Sequence, residues 1–185
     1  MGARATGRLP AIGTRCAYAA PMRTRRGLTV APVRNGRGIV ALRPFRAGAL
    51  VCRIGGRIVD SAELWRWWDR DPRRAANCLR FDEYRYLDPG QGLGAFLNHS
   101  CRPNTLIARS GRFLELRASR AIPRGAEVTN DYSTLIGPDD TWTMRCNCGE
   151  RGCRRVVGRF DRVPAAVLRS YRNSDAVPAF LWDLV

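Results

Sequence analysis

The chain has 185 residues, 45% of them apolar and 26% charged, which suits one ordinary domain with a tail or at most two small domains. That mix excludes a wholly disordered chain, and no uncharged apolar run approaches the ~18 residues that a membrane-spanning helix needs. All 32 basic residues are Arg, against 16 acidic residues and a single His, and the formal net charge is +16.

The charge is segregated. Residues 1–59 hold 12 Arg and no acidic residue, so +12 of the net +16 lies in the first third. Such a segment is drawn to polyanions through counterion release, or it is simply a solvated tail. Residues 1–28, rich in Gly, Ala, Pro and Arg without periodicity, read as a basic mobile arm. The same stretch is Arg-rich and acid-free in the manner of a transit peptide. It lacks the apolar core of ~7–15 residues that a secretory signal requires.

From Leu28 the texture changes to short Val-, Ile- and Leu-rich runs: LTVAPV, GIVALRPF and ALVCRIGGRIV. Turn signals at Asn35-Gly36, at 46–48 and at Gly55-Gly56 separate them, the pattern of short strands joined tightly. Asp60 with Glu63 three residues on forms a capping box, predicting a helix over 61–71 that stops before Pro72. Its Trp65, Trp67 and Trp68 serve core packing or a binding face. RFDEYRYLD reads as a strand or hairpin arm and 89–94 as a loop. TLIARSG and RFLELRASRAI form a hairpin turning at Ser110-Gly111, and a turn at 123–125 leads into AEVTNDY. Pro164 stands where the first turn of a helix VPAAVLRSYRN would begin. The sum is a mostly β domain of short strands with one inserted helix, a small Cys-rich coda and a C-terminal helix.

The seven Cys are unevenly spread. Cys16, Cys52 and Cys78 stand alone, whereas Cys146, Cys148 and Cys153 fall within eight residues. With no secretory signal, that cluster points to metal in a reducing compartment rather than to disulfides. Three thiolates fall one short of a closed tetrahedral zinc site.

Four segments carry chemistry: Gly36-Arg37-Gly38, NHSCRPN at 98–104, EVTNDY at 127–132 and CNCGERGCR at 146–154. Together, in this order and spacing, they resemble the SET-domain protein-lysine methyltransferases with a post-SET cysteine motif. The resemblance covers about residues 33–157, with a C-terminal helix like those of compact bacterial members. It implies a β-clip SET-like fold at 29–140, a post-SET zinc segment at 141–157 and a helical extension at 158–185. It implies S-adenosylmethionine as cofactor, held by Gly36, Arg37, Gly38, Asn98, His99 and Tyr132. It supplies Cys101 as the fourth zinc ligand beside Cys146, Cys148 and Cys153. It makes Tyr132 the catalytic residue, Asp131 a local structural anchor, and a protein lysine the methyl acceptor. Compactness and Arg bias suit a bacterial cytoplasm, with a nuclear location as the alternative.

The chain also departs from the family pattern. Ile54 stands where many members place a second channel tyrosine, and Asn130 where Phe or Tyr is common. Tyr84 or Tyr86 is available to lean in from another strand. A +16 enzyme repels basic tails, so the substrate is expected to be bound to nucleic acid already or to be locally acidic around its lysine. The basic arm would then dock on the same polymer. The competing reading is a catalytically silent, zinc-stabilised module of the same fold that binds nucleic acid or a protein partner.

Overall fold

The computed structural model describes residues 27–137, 139–172, 177–183 and 185. The expected basic arm, save Gly27 and Leu28, lies outside the described residues, as does Cys16. The elements are β1 (Leu28–Val33), β2 (Gly36–Ala41), β3 (Leu50–Ile54), β4 (Arg57–Asp60), α1 (Ser61–Arg70), α2 (Pro72–Ala76), β5 (Leu79–Arg80), β6 (Arg85–Asp88) and β7 (Asn98–His99). They continue with β8 (Thr105–Ser110), β9 (Phe113–Ala118), β10 (Glu127–Asn130), β11 (Met144–Arg145), β12 (Val156–Val157), α3 (Ala165–Arg172) and α4 (Ala179–Trp182). The chain is thus mostly short strands, arranged in sheets of order β1-β2-β10-β7, β3-β9-β8, β4-β6-β5 and β11-β12. Among the described residues no helix is long and apolar enough to cross a membrane.

Turn chemistry explains most of the boundaries. Gly36, at φ +89°, takes the left-handed conformation that closes the β1–β2 hairpin, which a Cβ would disfavour. At α1 the Asp60 carboxylate accepts the Glu63 N–H at 2.7 Å, as the capping box predicts. The helix does stop before Pro72, but Asp71 then caps a second helix by accepting the Arg74 N–H at 3.1 Å, with Pro72 at its first turn. The expected strand at 38–45 ends at Ala41, and Phe45 rejoins the sheet only through an isolated bridge to Ile122. Helix α3 begins one residue after Pro164, whose carbonyl accepts from Val167 and Leu168.

Alternating positions of these strands bury one main core, including Leu28, Ile39, Phe45, Leu87, Ile107, Leu116, Ile122 and Val128. A second cluster joins Phe160, Val163, Tyr171, Val177 and Leu181 near the C-terminus. A third sits under α1, where Val59, Leu64, Ala75 and Tyr86 are covered by Trp67 and Trp68. Trp67 and Trp68 therefore both pack on this cluster, Trp68 also lining a cleft described below, and the Arg74 guanidinium stacks 3.9 Å above the Trp67 ring. Trp65 alone of the three is exposed.

Candidate functional site

The β1-β2-β10-β7 sheet brings three of the four sequence segments side by side. Strand β10 pairs antiparallel with β2 at Glu127–Val40 and Val128–Ile39, and parallel with β7 at Thr129–Asn98 and Asn130–His99. The Asn98 amide donates to the Arg37 carbonyl at 3.1 Å and to the Glu127 carboxylate at 2.7 Å, which ties β7 and β2, the strands on either side of β10. Gly38 lies under this bridge. A Cβ there would approach Asn98 Nδ2 and Val33 Cγ2 to 2.8 Å and overlap the Glu127 carboxylate. Asn104 holds the loop beyond β7 by donating to the Glu127 carbonyl at 2.7 Å and accepting from the Thr129 N–H at 2.9 Å.

The mid-chain loop meets the C-terminal coda at the four expected thiols. The Sγ atoms of Cys101, Cys146, Cys148 and Cys153 all lie within 4.8 Å of one another. Zinc–thiolate bonds of ~2.3 Å in a tetrahedron put sulfurs about 3.8 Å apart, and Cys101 Sγ lies 3.7 Å from Cys146 Sγ. The donor set and its size therefore suit a closed zinc site. Hydrogen bonds shape the cluster: the Arg154 N–H and Nε reach Cys101 Sγ at 3.3 and 3.5 Å, and the Arg155 N–H reaches Cys153 Sγ at 3.4 Å. Burial pushes the Cys101 and Cys146 thiols up. Burial resists ionisation of Cys148 too, yet the N–H groups of Cys101 and Glu150 and the neighbouring thiols outweigh it and bring Cys148 down to about 7. The other two described cysteines stand apart, and burial raises both Cys52 and Cys78 to about 12. Arg34, next to the β1–β2 turn, clamps the coda by donating from Nε to the Asn147 carbonyl at 3.0 Å.

His99 and Asp131 sit between the thiols and Tyr132. The His99 ring is 3.3 Å from Cys101 Sγ through Nε2 and accepts the Tyr132 N–H at Nδ1, 3.1 Å away. Both ring nitrogens are thus engaged, so what His99 can offer a bound molecule is its main chain. Burial depresses the imidazole to about 4, so it is neutral at physiological pH. Asp131, wholly buried, accepts from Arg154 at 2.5 Å, from the Tyr171 hydroxyl at 2.8 Å and from the Ser133 N–H at 3.0 Å. It caps the 3-10 turn Tyr132–Leu135, a structural use of its charge.

Tyr132 itself lines a cleft of about 90 Å³ together with Trp68, Tyr86, Leu97, Ile136 and Trp142. Its hydroxyl donates to the Leu97 carbonyl at 2.5 Å, and its ring stands 6.2 Å from that of Trp142. Burial, helped by the Glu127 charge, raises the phenol to about 12 and keeps it protonated. Tyr86 leans into this cleft, its hydroxyl held between Arg80 at 2.7 Å and Asp140 at 3.0 Å. Tyr84 points to solvent, 67% exposed. Ile54 is buried in the main core, and Asn130 is buried against the Asp131 carbonyl and Thr134; neither lines the cleft.

Five residues of this constellation carry no role in the sequence motifs as read: Trp142, Leu97, Arg154, Tyr171 and Glu127. Leu97, Glu127 and Arg154 are embedded in or adjacent to the motifs, so their positions were visible while their contacts were not. Trp142 stands in TWT, a segment without periodicity, and Tyr171 is one of several apolar or aromatic positions on α3.

Comparison with known proteins agrees with this arrangement. Residues 36–133 match the model of the SET domain. Histone-lysine N-methyltransferase 2B of Homo sapiens is 30% identical over 131 residues, covering 66% of this chain and 5% of that protein. Histone-lysine N-methyltransferase trr of Drosophila melanogaster is 29% identical over 130 residues, 65% of this chain and 5% of its own length. Histone-lysine N-methyltransferase ASHH3 of Arabidopsis thaliana is 29% identical over 133 residues, 66% of this chain and 36% of its own. The chain thus spans a small part to about a third of the length of these relatives. The strand order that gathers GRG, NHSC and NDY, and the sequence match over more than half the chain, place this protein in the SET-domain family.

Proposed function

We propose that the protein is an S-adenosylmethionine-dependent methyltransferase acting on the side-chain amine of lysine in a protein, with a structural zinc held by Cys101, Cys146, Cys148 and Cys153. The observation that carries this reading is the seat of Tyr132: it lines a narrow, aromatic-walled cleft, and its hydroxyl is held by the carbonyl of Leu97, the residue before Asn98. The relatives are named for histone lysine, and a protein lysine is what this reading carries over.

The Gly38–Asn98 wall depends on the glycine because the Glu127 carboxylate and the Asn98 amide occupy the volume a Cβ would fill, which lets Asn98 reach the Arg37 carbonyl. Gly36, Arg37, Gly38, Asn98 and His99 would hold S-adenosylmethionine, which supplies an electrophilic methyl on a sulfonium. Within the cleft, Trp68, Tyr86 and Trp142 exclude water, and exclusion favours the neutral amine over the ammonium form that dominates in water at neutral pH. The Tyr132 proton is committed to the Leu97 carbonyl. The phenol oxygen therefore turns its lone pairs to the cleft, where it accepts an amine N–H and aligns the nitrogen. Full alignment of two reactants can be worth up to ~7–11 kcal/mol, of which this one hydrogen bond supplies a part. The zinc would fix the coda against the mid-chain loop, since a short cysteine-rich hairpin buries little apolar surface.

The test is transfer of labelled methyl from the cofactor onto cell protein. Tyr132→Phe is expected to lose about a hundredfold in rate while cofactor binding is retained. An equally active variant would remove Tyr132 from the chemistry. A wild type that binds cofactor yet stays inert would favour the silent module, the reading that buried Ile54, with no hydroxyl to offer the cleft, supports. The acid-free residues 1–59 carry a second part of the proposal, that the arm docks on nucleic acid. Removing residues 1–26 should lower DNA affinity and flatten its dependence on salt.

A further inference from the structure

We propose that His99 is a positioning residue that couples the thiol cluster to the backbone of Tyr132; this rests on the zinc and methyltransferase reading above. The argument begins with its tautomer. The Tyr132 N–H points at Nδ1 from 3.1 Å, and a backbone N–H can only donate, so Nδ1 must present its lone pair. The neutral ring then carries its one proton on Nε2, and Nε2 faces Cys101 Sγ at 3.3 Å. The opposite tautomer would aim its proton at Asp131 Oδ1, 3.6 Å from Nδ1 and beyond hydrogen-bond range. That oxygen already accepts from Arg154 and the Ser133 N–H. The ring is almost fully enclosed, its side chain 2% exposed, so no water competes for either nitrogen.

The consequence is a rigid link of one aromatic ring between a metal ligand and the residue that faces the cleft. Cys101 accepts from His99 and twice from Arg154, whereas Cys153 Sγ accepts from the Arg155 N–H. Donors to a thiolate temper its charge and orient it on the metal, and their loss typically costs 10–100-fold in metal affinity or activity. At the other end, the Tyr132 amide fixes where the side chain leaves the chain, and hence where its hydroxyl meets the Leu97 carbonyl. A shift of Cys101 is therefore felt at Tyr132 through the imidazole, without rearrangement of the sheet.

Two variants separate the ends of this link. His99→Asn keeps an acceptor near the Nδ1 position but has no donor long enough to reach Cys101. His99→Gln keeps a donor near the Nε2 position and loses the Nδ1 acceptor. In the full chain loaded with Co²⁺, His99→Asn is expected to move the sulfur-to-cobalt charge-transfer band to lower energy. In the zinc form it should release metal to a chelator about 10–100-fold faster. His99→Gln should leave both near wild type. With ¹⁵N-tyrosine labelling there are five cross-peaks at most, and Tyr132→Phe identifies the one that matters. His99→Gln should shift that peak and lower kcat, with the KM for cofactor held within about twofold. Exchange of zinc for the larger cadmium in the unsubstituted protein should also move the Tyr132 peak, which tests the link without any substitution. An unchanged cobalt band and release rate in His99→Asn, or a Tyr132 peak indifferent to cadmium, overturns the proposal. Absence of methyl transfer from every form would instead remove the enzyme reading, with the band and the cross-peak still deciding the link.

Discussion

Replacing Asp131 by Asn probes the most enclosed Arg–carboxylate pair among the described residues. The Asp131 side chain is fully buried and that of Arg154 only 11% exposed, with 2.5 Å between them. Asn keeps the shape and one carbonyl oxygen, which can still accept from the Ser133 N–H, while the Tyr171 bond persists only reversed, with the amide NH2 donating to the phenol oxygen. What disappears is the carboxylate counter-charge, leaving the buried guanidinium with the Cys101 sulfur as its remaining partner. Breaking a buried pair in this way costs ~3–5 kcal/mol. Against a total stability of ~5–15 kcal/mol that is a third or more. Urea unfolding followed by tryptophan fluorescence, with zinc in fixed excess, should show the midpoint falling by about 2 M for an m-value near 2 kcal/mol/M. The same substitution made in an Arg154→Met background should cost only ~1–2 kcal/mol, a coupling of about 2–3 kcal/mol. Should Asp131→Asn cost under ~1 kcal/mol, or cost the same with and without Arg154, the idea that charge complementarity anchors this turn is wrong.

Other expectations concern the metal, the cofactor wall and the pH profile. Iodoacetamide at pH 8 should leave Cys52 and Cys78 largely unmodified, since thiols at about 12 are ionised to only ~1 part in 10⁴; chelation should add up to four modified sites, read by mass spectrometry, at Cys101, Cys146, Cys148 and Cys153. Gly38→Ala should weaken cofactor binding by about tenfold, or 1.4 kcal/mol by calorimetry, and should also lower the unfolding midpoint, because the Cβ meets the stiff Val33 side chain and displaces the Asn98 amide that ties β7 to β2. Tyr132 stays protonated well past pH 10, so the rise of kcat with pH should belong to the substrate amine, and the residual activity of Tyr132→Phe should keep the same rising limb.

Local chemistry made much of this fold readable before any coordinates. The Asp60–Glu63 box, the Asn35-Gly36 hairpin and the turn at Ser110-Gly111 are each decided by neighbours within four residues, so spacing and residue type suffice. The second helix at Pro72 carried its own signal, an Asp-Pro start, which a reading of Pro72 only as a terminator passes over. The parallel β7–β10 pairing is different, because a two-residue strand has no periodicity to detect. Burial of Arg80 at 2% exposure in a strand otherwise read as a hairpin arm depends on Asp139 and Asp140 arriving from far along the chain. The same holds at the site. Three cysteines announce a metal by spacing, whereas Cys101 joined them only through family resemblance, and the orientation of the single imidazole is set by groups that no local pattern encodes.

The Arg34 clamp bears on how this molecule is made. Arg34 is held by Asn147, 113 positions later. Contacts of such long range are among the last to be earned in folding, because loop closure must come first. A ribosome releases residues 98–132 before the coda, so the nascent chain displays its central loops before Cys146, Cys148 and Cys153 can reach them. If the proposed zinc is bound, the ion and Arg34 would act together, each tying an earlier loop to residues 146–154 once these have emerged.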